Sequence, residues 1–129
     1  MKLLLDTHIW IWLLQSPHRI GPHTVKALAD PANELWLSSV STWEALTLHR
    51  KGRIRLPGNL ADWLTQALAG IRQRVSLTHE IVLASHQLAL HQDPADRFLA
   101  ATAQVLDLTL VTADQRLLGL GTIRTMANR

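Results

Sequence analysis

Two short apolar runs constrain this chain most, because each leads into a carboxylate: Leu3-Leu4-Leu5 before Asp6, and Leu108-Thr109-Leu110-Val111 before Asp114. Neither run carries a charge, and each is too short to be a helix, so both read as buried strands. Between them the pattern alternates. Helical periodicity is expected over about Ile9–Gln15, with Ser16-Pro17 as its stop, and from Pro22 to about Asp30. A second strand is expected over Leu35–Ser38, then a helix from Ser41 to about Lys51 closed by Gly52. After the Pro57-Gly58 loop, Leu60, Trp63, Leu64, Ala67, Leu68 and Ile71 recur at helical spacing. A short strand at Val75–Leu77, a helix from Glu80 to about Leu90, and a helix from Pro94 to about Leu106 follow. A short helix at Gln115–Leu118 and a last strand near Ile123–Met126 complete the pattern. Strands alternating with helices predict an α/β fold with a central parallel sheet of about four to five short strands flanked by helices.

In such sheets ligands sit outside the carboxyl ends of the strands. Four of the ten acidic residues fall at the junctions that point there: Asp6, Glu44, Asp96 and Asp114. Carboxylates this far apart in sequence converge most readily to hold a hard cation such as Mg2+ or Mn2+. Each also has a local explanation. Asp6 and Asp114 are placed to cap the helices that follow them. Ser41-Thr42-Trp43-Glu44 has the form of a capping box, and Asp93-Pro94-Ala95-Asp96 reads as N-cap, first-turn proline and first-turn acid. Local sequence leaves both readings open.

Composition narrows the classes. With 129 residues and 47% hydrophobic content, the expectation is one globular domain over residues 1–129. There is no cysteine, which excludes disulfides, zinc–thiolate sites and cysteine nucleophiles. The longest apolar run, Ile9–Leu14, is too short to span a bilayer, and the first residues lack a signal-peptide pattern. The expectation is a cytoplasmic protein without membrane contact. A net charge of +3 permits nucleic-acid binding without arguing for it. Arg50, Lys51, Arg53 and Arg55 cluster beside His49, and fit either a helix C-terminus or a phosphate-contacting patch. The seven histidines form no His-x-x-x-His pair. Trp36, Trp43 and Trp63 fall on apolar helix or strand faces, which predicts a place in the core or an interface. Trp10 and Trp12 point to different faces of their helix.

Four segments, in order, carry a resemblance. They are Leu3–His8, Ser38–Glu44, His91–Ala103 and Leu108–Asp114. Together they resemble the PIN-domain ribonucleases, specifically the VapC-type toxins of bacterial toxin–antitoxin pairs, over essentially the whole chain. The resemblance implies a Mg2+- or Mn2+-dependent endoribonuclease whose products carry 5′-phosphate and 3′-hydroxyl ends. It implies Asp6, Glu44, Asp96 and Asp114 as catalytic metal-site residues, with Asp114 acting through water or only shaping the field. Two metal ions require a bridging carboxylate, for which Asp6 is the candidate, with Asp96 the firmest second ligand and Glu44 a ligand or water-orienting group. Thr112 matches a small hydroxyl residue lining the same pocket; Thr7, His8 and Arg97 are further candidates for the substrate side, with His8 touching substrate or packing under the site and Arg97 contacting phosphate or pairing locally. The implied partners are RNA, a cognate antitoxin that pushes a basic side chain into the acidic pocket, and a second copy of the chain in a homodimer. A PIN-domain RNA-processing nuclease without an antitoxin is the alternative. An aspartyl-phosphate phosphatase would need a second nearby aspartate and a lysine, and neither is placed for it.

Overall fold

The computed structural model describes residues 1–90 and 92–129. His91, counted in the run before Asp96, lies outside them. The five strands are β1 (Lys2–Leu5), β2 (Glu34–Ser38), β3 (Gln73–Val75), β4 (Thr109–Thr112) and β5 (Arg124–Ala127). All pair in parallel, in the order β3-β2-β1-β4-β5. The helices are α1 (Thr7–Gln15), α2 (Pro22–Ala29), α3 (Ser39–Arg50), α4 (Leu60–Ala67), α5 (His79–His86), α6 (Pro94–Leu106) and α7 (Gln115–Leu118). A 3-10 turn, Pro17–Arg19, follows α1.

The strand order dictates where the helices go. From β1 the chain steps outward through β2 to β3, then crosses back to β4 on the other side of β1 and ends at β5. Right-handed crossovers made in opposite directions must cover opposite faces. Leu3, Leu5, Leu37 and Val111 accordingly pack against apolar residues of α1 to α4, such as Ile9, Trp10, Ala45 and Trp63. Leu4 and Leu110 pack on the other side against Ile81 of α5, Ala100 and Ala101 of α6, and Leu117 of α7. Burial on both faces explains the unbroken leucine run. Leu3, Leu4 and Leu5 are all fully buried, each contributing about 2 kcal/mol of apolar burial.

Several boundaries differ from expectation. Helix α3 starts two residues early: Ser38, not Ser41, is its N-cap, and the Ser38 hydroxyl accepts the Val40 N–H. The capping box is therefore absent, which frees Glu44 from the helix start. Strand β3 lies over Gln73–Val75 instead of 75–77. It is an edge strand paired only with β2, so it needs no apolar run. Helix α5 ends at His86, short of Leu90, and α4 ends at Ala67, short of Ile71. Trp63 is in the core, its ring 5.5 Å from that of Trp10. Trp43 is not, being 60% exposed. Trp36 is partly buried, with the Lys2 ammonium 5.6 Å from its ring centre.

Candidate metal centre and active-site cavity

The direction of the chain reverses between β1 and β4, and this switch point opens the crevice where α/β sheets bind ligands. Asp6 stands at it. Its amide donates to the Val111 carbonyl at 3.0 Å, which carries the β1–β4 ladder one residue past the end of β1. Asp6 is the residue before α1, yet its carboxylate caps nothing. The Thr112 hydroxyl, at the end of β4, donates to Asp6 Oδ2 at 2.6 Å instead. Asp6 is 7% exposed and Thr112 fully buried.

Glu44 reaches the same place from α3. The hydroxyl of Thr7, the first residue of α1, hydrogen-bonds its Oε1 and lies 2.8 Å from the Ser41 hydroxyl. A hydroxyl has one proton. If Thr7 spends it on Glu44, the Ser41 hydroxyl must donate to Thr7, giving a relay from Ser41 through Thr7 to Glu44. Helix α6 supplies the next wall. Asp93 is its N-cap, accepting from the Asp96 N–H at 3.2 Å, with Pro94 in the first turn. Asp114 caps α7 by accepting the Arg116 N–H at 2.8 Å, and its carboxylate also binds the Arg116 guanidinium, with Nη2 3.2 Å from Oδ2. The same Nη2 is 4.0 Å from Asp96 Oδ2.

These side chains line a cavity of about 310 Å3 bounded by Asp6, His8, Trp12, Glu44, Asp93, Asp96, Ala113, Asp114 and Arg116. All four acids singled out in the sequence are there, together with His8. Thr7 and Thr112 lie beneath its floor, each bonded to one of the acids. Arg97 is not part of the lining. Its guanidinium donates to the Leu90 carbonyl at 2.7 Å, to the Leu88 carbonyl at 3.1 Å and to the Ser85 carbonyl, closing the C-terminal end of α5. The guanidinium thus binds the backbone at the end of α5, away from the acidic cavity. The basic run beside His49 begins in the last turn of α3, at the opposite end of that helix from its start by the cavity. Asp93, Trp12 and Arg116 were not singled out for the site. Asp93 was explained fully by capping, while Trp12 and Arg116 sit one turn and two residues from residues that were.

Electrostatics divide the acids. Burial pushes the Asp6 carboxyl above its ordinary range, and the negative charge of Asp96 adds to this. The Thr112 bond and the nearby His8 oppose it. Burial likewise pushes Glu44 up to about 7, with repulsion from Asp6, Asp96 and Asp93 adding and the Thr7 bond opposing. Arg116 is held charged by Asp114. Donor chemistry fits a hard divalent cation: all the carboxylate ligands are oxygens, and crowding makes their anionic forms costly until positive charge arrives. Among the described residues no group of three acidic or histidine side chains is already gathered to hold a metal ion.

A parallel α/β sheet with carboxylates lining a cavity at its switch point defines a class of acidic-pocket α/β proteins. The chain belongs to the PIN-domain family, whose model matches residues 3–121. It is 32% identical over 117 residues to ribonuclease VapC22 of Mycobacterium tuberculosis, covering 89% of this chain and 88% of that protein. Among solved structures it is similar to VapBC2 from Rickettsia felis bound to a promoter DNA fragment, with TM-score 0.76, 16% identity and 98% of each chain covered. It is also similar to DNA-bound VapBC from Salmonella typhimurium, with TM-score 0.75, 15% identity and coverage of 100% of this chain and 99% of that one. At those identities the two structures speak for the fold.

Proposed function

We propose that this chain is a Mg2+- or Mn2+-dependent endoribonuclease of the VapC toxin type, acting in the cytoplasm and neutralised by a cognate antitoxin. One observation carries the reading: Asp6 is buried at the switch point, caps no helix, and shares its cavity with Glu44 and Asp96. The relative named a ribonuclease supports RNA as the substrate. The likeness to VapBC structures supports an antitoxin partner.

Asp6, Asp96 and Glu44 would hold the cation, with Asp114 a weaker helper because it already caps α7 and binds Arg116. A bound divalent ion would supply charge neutralisation at the phosphodiester and acidify a water. The chain's own groups do the rest. Thr112 fixes the orientation of the Asp6 carboxylate through its hydrogen bond. Glu44 would either ligate the cation or orient the attacking water. Thr7 aims the Glu44 carboxyl. Asp114 holds Arg116 at the mouth of the cavity, within 4.0 Å of Asp96. A cavity that accommodates one guanidinium at its rim is suited to a basic side chain from an antitoxin. An apolar hollow beside it, lined by Trp43, Leu77 and Phe98, offers a surface for a second copy in a homodimer.

The test is cleavage of total RNA by purified protein with Mg2+ or Mn2+ and with EDTA, using Asp6→Asn as the control, followed by mapping of the product ends. Metal-dependent cuts leaving 5′-phosphates that vanish in the variant are expected. Equal cleavage by both proteins would sink the reading.

A further inference from the structure

The cavity wall formed by α1 contains an aromatic and cationic ledge that the acidic chemistry does not use. Trp12 lines the cavity, one turn along α1 from His8, and the two rings are 6.0 Å apart and tilted. The Arg19 guanidinium lies over the Trp12 ring, 4.3 Å from its centre. Among the described residues no carboxylate pairs with Arg19, whereas Arg116 is bound by Asp114 and Arg97 is spent on carbonyls. The arginine charge is thus held beside the cavity and left unneutralised.

Its position is built. The 3-10 turn carrying Arg19 is clasped by the Asn128 side chain, whose Nδ2 donates to the Arg19 carbonyl at 2.9 Å while its Oδ1 accepts the Gly21 N–H at 2.8 Å. A Cβ on Gly21 would lie 2.0 Å from the Arg129 carbonyl carbon, so only glycine lets the C-terminal strand approach. Aromatic stacking leaves the planar N–H edge of a guanidinium available to a phosphate and its outer face available to a base.

We infer that His8, Trp12 and Arg19 form a subsite for one nucleotide flanking the scissile phosphate, with Arg19 contacting its phosphate and Trp12 serving as the platform that holds the guanidinium flat. This rests on the ribonuclease reading above. Arg19 is the binding group for single-stranded RNA, Trp12 positions it, and Asn128 holds the turn that carries it.

The experiment is fluorescence anisotropy with a labelled single-stranded RNA oligonucleotide and Mg2+, using the full chain carrying Asp6→Asn to suppress cleavage. Adding Arg19→Ala is expected to weaken binding about tenfold and to flatten the plot of log affinity against log salt by about 0.7, the value for one lost phosphate contact on a single strand. Arg19→Lys should keep the slope. Trp12→Ala should also weaken binding, because the ring under the Arg19 guanidinium is lost. Arg19 is exposed, so its variants keep the core intact even if Trp12→Ala misfolds. If the parent binds RNA and Arg19→Ala matches it in affinity and slope, the subsite is overturned while the ribonuclease reading stands. If the parent binds no RNA at any salt concentration, the ribonuclease reading falls and the subsite falls with it.

Discussion

The cavity has two walls made of the same chemistry put to different use. On the α6–α7 wall, Asp93 and Asp114 each accept a backbone N–H as helix caps, and Asp114 binds Arg116 besides. On the β1–α3 wall, Asp6 and Glu44 cap no helix, accept from the hydroxyls of Thr112 and Thr7, and are pushed upward by burial all the same. Helix starts compensate one set of charges; the other set remains costly in the metal-free protein. Uncompensated buried carboxylates cost stability, so the second wall is where a bound cation would contribute most.

The sharpest way to break this comparison is to remove one acid from each wall. Asp6→Ala should reduce RNA cleavage by more than the roughly 10–100-fold typical of outer-shell partners, with Asp96→Ala close behind. Metal-free Asp6→Ala should melt no lower than wild type, because a crowded like charge is removed. Asp114→Ala should do the reverse, losing a cap worth about 1 kcal/mol and less activity than Asp6→Ala. Cleavage assays paired with thermal melts decide it; equal activity losses at Asp6 and Asp114 would erase the distinction between the walls.

Thr112→Val comes next. It keeps the shape of a fully buried residue and deletes two hydrogen bonds, the one donated to Asp6 and the one accepted from the Asp114 N–H at 3.0 Å. Divalent-ion affinity measured by calorimetry should fall about 10–100-fold. The direction follows because the bond to Asp6 lowers its carboxyl toward the ionised form.

Sequence carried the architecture well because burial on both faces writes continuous apolar runs, and because Pro22 and Pro94 mark helix starts. It carried the membership of the acid quartet through four ordered segments. It did not carry the division between the walls. Capping by Ser38 instead of Ser41 depends on where β2 ends, a tertiary matter, and that shift is what turns Glu44 from a helix cap into a pocket residue. Edge strand β3 was displaced because Gln73-Arg74-Val75 has no apolar signature. Sequence adjacency to Asp96 does not say where Arg97 points: one step along a helix rotates a side chain by about 100°, and its guanidinium bonds at the end of α5.

That rotation can be tested directly. Arg97→Ala should cost about 2 kcal/mol of stability, the scale for charged hydrogen bonds to carbonyls. It should leave the salt dependence of RNA binding unchanged. A flattened salt slope with unchanged melting would return Arg97 to the substrate.

The smallest expected effect concerns pH, and it isolates Glu44. Its carboxyl rises from an ordinary 4.5 to about 7 in the folded chain. Protonation therefore favours the folded state: the contribution is fully present below about 4.5 and is lost as pH rises through about 7. Glu44→Gln mimics the protonated form at every pH. The melting temperature of wild type minus that of Glu44→Gln, without divalent ions, should be near zero at pH 4.5 and negative by on the order of a few degrees at pH 8. Adding Mg2+ should shrink the gap at pH 8, since a bound cation stabilises the carboxylate and not the amide. A gap that stays flat from pH 4.5 to 8 would mean that Glu44 is as well compensated as Asp114, and the two walls would then be alike.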